Sequence, residues 1–512
     1  MVVSFTVDKS QCRGLKWVVK DPISVKLIGP ILTRLPLTPF NPLTHPGLPR
    51  YRQVFVWLQQ AILAAELKSG EQLPATRELA HQLNVSRNTV KSAFELLQAE
   101  GYIEARQGAG SFVIDLPAHL LRHAPVTHSD ALAQSSLPGL NHRLDALQAF
   151  RIPETRAPQR LQPAVPALDA FPLQQWKRCL GQSVSRHQLQ HTPLAGDGLL
   201  REELVMHLAS RRGIQVDASQ LLITSGSQQA LHLVAELLLC PNDRVLVESP
   251  GYPGTAAVMR AAGAKVESIS WQLLQQGLPT GLKAACLCVT PSRNFPLGHT
   301  LTLQARLALL NWAEQQDCWI IEDDFDCEFA TGQPITALYA LSREQRVIYT
   351  GTFSRTMFPA LRLGYLVLPP ALVPGMLKLR GYQDGGLTRL SQHALGKFMA
   401  EGYYSRHLKK MRQLYQQRRE ALITAIAASP LSELPVIDAG GGMHLVQALP
   451  SGRADQALCQ RLNQEGIGAR PLSAYDPLNQ QQGLILGFSA DTADQIDDAV
   501  SHLGLVYRQT LC

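Results

Sequence analysis

From residue 51 to residue 67 apolar side chains recur at helical spacing, with Val54, Trp57, Leu58, Ala61, Ile62 and Ala65 on one face. Gly70 is expected to stop that helix. A second, shorter helix is predicted over 77–83, after Pro74 and with Thr76 as its cap. Following a turn through Asn84, Ser86 is placed to cap a third helix that carries Val90, Ala93, Phe94 and Leu97 on its apolar face. Gly101 closes it, and the runs 102–106 and 108–113 read as the two strands of a hairpin. Three helices and a hairpin in this order predict a winged helix-turn-helix, whose third helix enters the DNA major groove by its N-terminal end.

Beyond residue 166 the pattern changes. Helical stretches alternate with short β-rich runs at 221–223, 244–247, 265–269, 286–289, 319–321 and 347–349, which predicts an α/β domain with a mostly parallel sheet wrapped by helices. In such sheets ligands gather at the carboxyl ends of the strands. The intervening stretch is rich in Pro, Ser, His and Ala and has little apolar periodicity, as expected of a tether. The expected organisation is therefore an extension over 1–45, a DNA-binding domain over 46–115, a linker over 116–166 and a large domain over 167–512.

A chain of 512 residues, 45% hydrophobic and 17% charged, fits a soluble protein of two or three domains. No apolar run approaches the ~20 residues of a membrane span, and the first residues interleave charges with short apolar stretches. A cytoplasmic protein with no membrane partner is expected. Nine cysteines are scattered without a repeated pair spacing; those at 240, 286, 288, 318 and 327 lie in apolar segments. They read as buried free thiols, with no metal site. The net charge of +7 permits nucleic-acid binding, but its placement matters more. Residues 1–45 carry Lys9, Arg13, Lys16, Lys20, Lys26 and Arg34 against Asp8 and Asp21, which suits either a basic arm on DNA phosphates or an unstructured start.

The polar residues fall where these elements would use them. Ser86, Arg87, Asn88, Thr89 and Lys91 open the third helix, Arg77 opens the second, and Arg106, Gln107 and Gly108 form the wing tip. Ser86 and Thr89 suit phosphates, while Arg87 could reach phosphates or guanine edges. In the large domain, three strand ends carry chemistry. The first leads into Thr224-Ser225-Gly226-Ser227, opening a helix whose amides could hold a phosphate. Another leads into the carboxylates Glu322, Asp323, Asp324 and Asp326, one of which could pair with a protonated ring nitrogen. The last leads into Gly351-Thr352-Phe353-Ser354-Arg355, followed by Arg362, with hydroxyls and a guanidinium for phosphate oxygens.

The pattern Leu73-Pro74-x-x-Arg77-x-Leu79-Ala80, with Val85-Ser86-Arg87-Asn88-Thr89-Val90 and Glu100-Gly101-Tyr102, resembles the GntR family of bacterial repressors. The resemblance implies DNA contacts for Arg77, Ser86, Arg87, Thr89, Lys91 and Gly108. Joined to Glu248-Ser249-Pro250-Gly251-Tyr252, Thr290-Pro291-Ser292-Arg293-Asn294-Phe295-Pro296-x-Gly298 and Leu361-Arg362-Leu363-Gly364-Tyr365, the chain resembles the MocR/GabR regulators. These implied features follow: a fold-type I, pyridoxal phosphate (PLP)-dependent transferase-like domain with a smaller C-terminal α+β subdomain, a homodimer, a double-stranded DNA operator, and a small amine or amino-acid effector. By the same resemblance Tyr252 would stack on the pyridine ring and Asp323 would pair with its nitrogen. Ser225, Gly226, Ser227, Thr352, Ser354 and Arg362 would surround the phosphate, and Arg470 is the candidate for a substrate carboxylate.

Three positions depart from that pattern. Arg355 stands where the family has the lysine that joins the cofactor, Phe325 replaces a tyrosine expected on the ring hydroxyl, and Arg293-Asn294 replaces His-Gln. A lysine amine can lose its proton and form a Schiff base; a guanidinium, with a pKa above ~12, stays charged. No catalytic residue is therefore assigned, and the expectation is a regulator that binds PLP or a related amine noncovalently, if it binds PLP at all. An active aminotransferase with an appended DNA-binding domain and a ligand-free dimeric DNA-binding protein are the alternatives.

Overall fold

A computed structural model describes residues 39–115 and 159–510, apart from Leu43, Gln333, Glu344, Ala439, Ser451 and Arg453. The extension over 1–38 and the tether over 116–158 lie outside the described residues. The chain divides into two compact units between residues 140 and 141.

The first unit contains α1 (Arg50–Leu63), α2 (Thr76–Gln82), α3 (Arg87–Ala99) and the antiparallel pair β1 (Ile103–Arg106) and β2 (Gly110–Val113). Val54, Leu58 and Ile62 of α1 meet Leu79 of α2, Val90 and Leu97 of α3 and Ile103 and Val113 of the wing in one apolar core. Burying each such side chain contributes roughly 1.5–3 kcal/mol, which is how helices this short hold in water.

Two expectations need correction here. Helix α1 ends at Leu63 rather than running to Gly70: Ala65 takes a left-handed φ of 57°, and the chain turns back so that Leu67 enters the core. Gly70 instead begins the return to the wing, its N–H donating to the Val113 carbonyl at 2.8 Å. Thr76 lies inside the first turn of α2 and Ala75 occupies the cap position without a side-chain bond, because Pro74 already sets the entry of the chain. Ser86 does cap α3, its hydroxyl accepting from the Thr89 N–H at 3.1 Å.

The second unit is built on seven strands: β3 (Leu221–Thr224), β4 (Arg244–Ser249), β5 (Lys265–Ser270), β6 (Cys286–Val289), β7 (Trp319–Asp324), β8 (Val347–Thr352) and β9 (Gly364–Val367). Their spatial order is β3-β9-β8-β7-β6-β4-β5. Pairs among β4 to β8 are parallel, while β9 runs antiparallel to both β8 and β3. Strands such as Cys286–Val289 are buried throughout, as a sheet covered on both faces requires. Around the sheet lie α4 (Leu173–Gln182), α5 (Gly198–Arg212), α6 (Ser227–Leu238), α7 (Pro253–Ala261), α8 (Trp271–Gln276), α9 (Leu303–Gln315), α10 (Leu338–Leu341), α11 (Val373–Gln383) and α12 (Arg389–Ala400). The long α13 (Tyr403–Ala427) leads to a smaller antiparallel sheet of β10 (Val436–Ile437), β11 (His444–Ala448), β12 (Arg470–Pro471) and β13 (Gly483–Gly487), with α14 (Asp455–Gln464) and α15 (Ala493–Gln509).

Residues 159–166, read from sequence as the end of the tether, belong to this second unit. Arg160 bridges to Ile467, and Leu161 is fully buried with its N–H on Asp491 Oδ2 and its carbonyl accepting from the Gly487 N–H, both at 2.8 Å. Backbone bonds rather than apolar periodicity hold the segment. Among the thiols, Cys286, Cys288 and Cys318 are buried and Cys327 is half-buried, but Cys240 is exposed in the turn that follows α6. Among the described residues no group of acids, histidines and cysteines could hold a metal ion. No described helix is long and apolar enough to cross a membrane.

Candidate functional site

The N-terminal turn of α3 presents Ser86, Arg87, Asn88 and Lys91 at the surface, with Arg77 exposed on α2 and Gly108 at the wing tip. Their availability differs. The Ser86 hydroxyl is already shared with the Thr89 N–H and, at 2.8 Å, with the Thr89 hydroxyl, and Lys91 faces Glu95 at 3.6 Å. Arg106 is held against Glu104 at 2.6 Å and over the Phe112 ring at 4.5 Å. Arg87 and Asn88 extend from the positive end of a 13-residue helix, where an anion is favoured.

In the second unit the phosphate candidates come together where β3 and β8 end. Gly226, with φ 116°, opens α6, and a Cβ on it would meet the Arg362 guanidinium at 3.7 Å. A Cβ on Gly364 would lie 2.9 Å from the Gly226 Cα, so two glycines let these loops touch. Thr352 Oγ1 accepts from the Ser354 N–H at 3.2 Å, and Ser225 donates its N–H to Gln229 at 2.7 Å. Arg362 is exposed and has no carboxylate within 4.0 Å among the described residues.

The carboxylates at the end of β7 separate by strand alternation, since successive side chains point to opposite faces. Glu322 accepts from the Leu338 and Tyr339 N–H groups at 2.9 and 2.8 Å. Asp324 takes Arg212 at 2.8 Å and the Tyr349 hydroxyl at 2.5 Å. Asp323 points the other way, into a cavity lined also by Glu248, Tyr252, Thr255, Val289 and Thr290. Its Oδ1 is buried without a hydrogen-bond partner among the described residues. Burial, with Asp324 adding and Arg355 opposing, pushes its carboxyl up to about 7. Glu248 is likewise pushed up to about 7 by burial, although Thr290 donates its N–H and its hydroxyl to it.

Arg355 is half-buried and close enough to Tyr252 and Asp323 to act on both. Its Nη1 donates to the Ala164 carbonyl. Burial lowers its pKa, and Tyr252, Asp326, Tyr475 and Asp323 lie close enough to oppose that. Arg293 donates to the Gly440 and Gly441 carbonyls, each at 2.9 Å, and faces the buried Asp326 at 3.4 Å. Asn294 donates to the Pro250 carbonyl at 3.0 Å, and Phe325 packs edge-on to Phe295 at 5.3 Å. Arg470, on β12, is half-buried and reaches the pocket through Tyr475, whose hydroxyl is pushed up by burial and pulled back by Arg470 and Arg355.

Residues 50–113 match the family of bacterial regulatory proteins, gntR family, and residues 166–503 match aminotransferase class I and II. The chain is 33% identical to the probable rhizopine catabolism regulatory protein MocR of Rhizobium meliloti over 89% of this chain and 93% of that one. The chain belongs to the MocR/GabR family of transcriptional regulators. It is a DNA-binding regulator with an aminotransferase-like domain. A second regulator, the pyridoxine biosynthesis transcriptional regulator PdxR of Corynebacterium glutamicum, is 30% identical over 92% of this chain and all of that one. The kynurenine aminotransferase of Pyrococcus horikoshii, solved with PMP, superposes with a TM-score of 0.63 at 26% identity, covering 70% of this regulator and 92% of that chain.

Two pocket residues of the regulator carry no assignment from sequence. Glu248 sits in a quoted motif, but nothing about the motif signals that its carboxyl faces a cavity. Tyr475 lies in a short 3-10 turn within no motif; its carbonyl accepts from the Gly251 N–H at 2.9 Å and Phe295 packs against its ring at 5.2 Å, which bring it to the site.

Proposed function

We propose that the aminotransferase-like unit of this cytoplasmic regulator holds PLP or its amine form without a covalent bond and senses a small amine or amino acid there, as a homodimer on a double-stranded operator. The buried Oδ1 of Asp323 carries this reading: it suits the N–H of a protonated pyridine and has no donor among the described residues. The glycine cradle beside the unpaired Arg362 fits a phosphate in the same way. When bound, the group supplies an electron-accepting ring and an aldehyde carbon.

The chain's own residues define what happens to it. Arg362, the α6 amides over 225–227 and the hydroxyls of Thr352 and Ser354 would neutralise the phosphate, Tyr252 would cover the ring, and Asp323 would hold its nitrogen proton. Arg355 brings charge to the pocket but no nucleophilic amine, so transamination has no group to carry it. Charge-assisted hydrogen bonds contribute roughly 1.5–3 kcal/mol each, and micromolar affinity requires about 8 kcal/mol, so several such contacts suffice without a covalent link. Exposed Leu173, Leu180, Val184, Leu189 and Tyr382 support a dimer surface on the second unit.

Visible absorption of the purified protein with added PLP, followed by borohydride and mass analysis, tests this reading. A spectral change that dialysis reverses, with no trapped mass, is expected; a lysine-linked adduct in the pocket would overturn it. On DNA, Arg87→Ala is expected to weaken a gel shift with the protein's own upstream region about 10- to 100-fold. Unchanged binding would remove α3 from the interface.

A further inference from the structure

Most buried arginines of the second unit face a carboxylate, while Arg306 donates to the Thr336 carbonyl at 2.7 Å. Arg212 has Asp324 at 2.8 Å, Arg293 has Asp326 at 3.4 Å and Arg380 has Asp384 at 2.6 Å. Arg355, Arg362 and Arg470 differ: among the described residues none of them has a carboxylate within 4.0 Å. Tyr475 lies in the field of both Arg355 and Arg470, Tyr252 and Asp323 lie in that of Arg355, and Arg362 lies against Gly226 where α6 begins. Asp323 offsets them poorly, because burial keeps its carboxyl protonated to about pH 7. Asp326 is engaged with Arg293. Arg355 donates to one protein acceptor, the Ala164 carbonyl, and its remaining N–H groups have none among the described residues.

A planar guanidinium with free donors matches the two oxygens of a carboxylate. It offers less to an aldehyde, which has one neutral acceptor, and it repels an ammonium. We propose that the pocket selects a 5'-phosphorylated pyridine that carries a carboxylate, in place of the aldehyde or the aminomethyl group, on the ring carbon opposite the nitrogen, with Arg355 as its receptor. This rests on the reading that the pocket holds a phosphorylated pyridine. Arg362 and Asp323 then fix the phosphate and the ring nitrogen, and Arg355 distinguishes the third substituent. The selected ligand is an oxidised, unreactive form of the vitamin, as suits a pocket without an amine.

Calorimetric titration of the full chain with 4-pyridoxic acid 5'-phosphate, pyridoxal phosphate, pyridoxamine phosphate and inorganic phosphate tests the order. The acid is expected to bind roughly tenfold more tightly than the aldehyde and about 100-fold more tightly than the amine. In Arg355→Gln that order should flatten while inorganic phosphate binds as before, and Arg355→Lys should keep part of the preference for the acid. Equal binding of the three pyridines to the unmodified protein overturns the proposal and leaves the phosphorylated-pyridine reading standing. No pyridine binding more tightly than inorganic phosphate removes both. Tighter binding of N-(5'-phosphopyridoxyl)-L-leucine than of the acid also overturns it, because the carboxylate would then be read away from the ring.

Discussion

The two ends of the pocket are built on opposite principles. At the phosphate end the chain withholds side chains: Gly226 and Gly364 touch, Thr352 pairs with Gly364, and among the described residues the Arg362 guanidinium has no carboxylate within 4.0 Å. At the other end the chain engages its own groups. Arg293 bonds to Gly440, Gly441 and Asp326, Asn294 to Pro250, Arg355 to Ala164, and Phe325 joins an aromatic wall. The comparison teaches that degeneracy of a catalytic motif need not be uniform decay. One end keeps an unanswered charge, which costs stability unless a ligand answers it, and the other replaces reactive chemistry largely by internal bonds while leaving the remaining Arg355 N–H groups open.

Substitutions at each end should therefore fail differently. Arg293→Met leaves Asp326 buried without its cation and removes two carbonyl contacts, and is expected to lower stability by about 3–5 kcal/mol in denaturant unfolding. A loss below about 1 kcal/mol would break the claim that this end is structural. Asp323→Asn should act in the opposite sense. Its carboxyl is raised from 3.8 to about 7, so between those pH values the native state binds a proton that the unfolded chain has released. Stability from this group therefore falls as pH rises from about 4 to about 7 and stays low above that. The Asn variant should be more stable than the parent by roughly 2–4 kcal/mol at pH 8 and equal to it near pH 4, while binding phosphorylated pyridines more weakly. Equal stability at both pH values would show that Asp323 is already satisfied.

Smaller effects sharpen the phosphate end. Arg362→Ala is expected to weaken phosphorylated pyridines about 100-fold by titration, to leave their unphosphorylated counterparts unaffected, and to change unfolding little, since the side chain is exposed and unpaired. Parallel losses for both ligand sets would separate Arg362 from the phosphate. Ser354→Ala should cost about 0.5–1.5 kcal/mol of the same affinity, and no loss would confine that serine to its backbone contact with Thr352.

Much of this was legible from local pattern. Ser86 could be read as a cap because serine before an apolar-periodic run satisfies a free N–H, and runs such as 286–289 and 319–321 became strands because buried parallel strands are continuous and apolar. Strand β9 was not legible: Gly364–Val367 is short, begins with glycine, and is defined by antiparallel pairing with strands distant in sequence. The same holds for residues 159–166, whose backbone partners lie some three hundred residues further on. In the site, motifs identified which residues matter but not what they touch. That Asp323 Oδ1 has no hydrogen-bond partner among the described residues, while its neighbours Glu322 and Asp324 have several, depends on which face of β7 each occupies and on what packs there.

The bond from Arg355 to the Ala164 carbonyl has a mechanical consequence. Residue 164 belongs to the stretch through which the chain arrives from the DNA-binding unit, so the pocket holds the last few residues of that approach by a side chain it could also offer to a ligand. Tension that draws this stretch outward would remove the acceptor and leave the guanidinium open. By reciprocity, a ligand that recruits the same N–H loosens the hold, and the two events share one coupling energy whichever comes first.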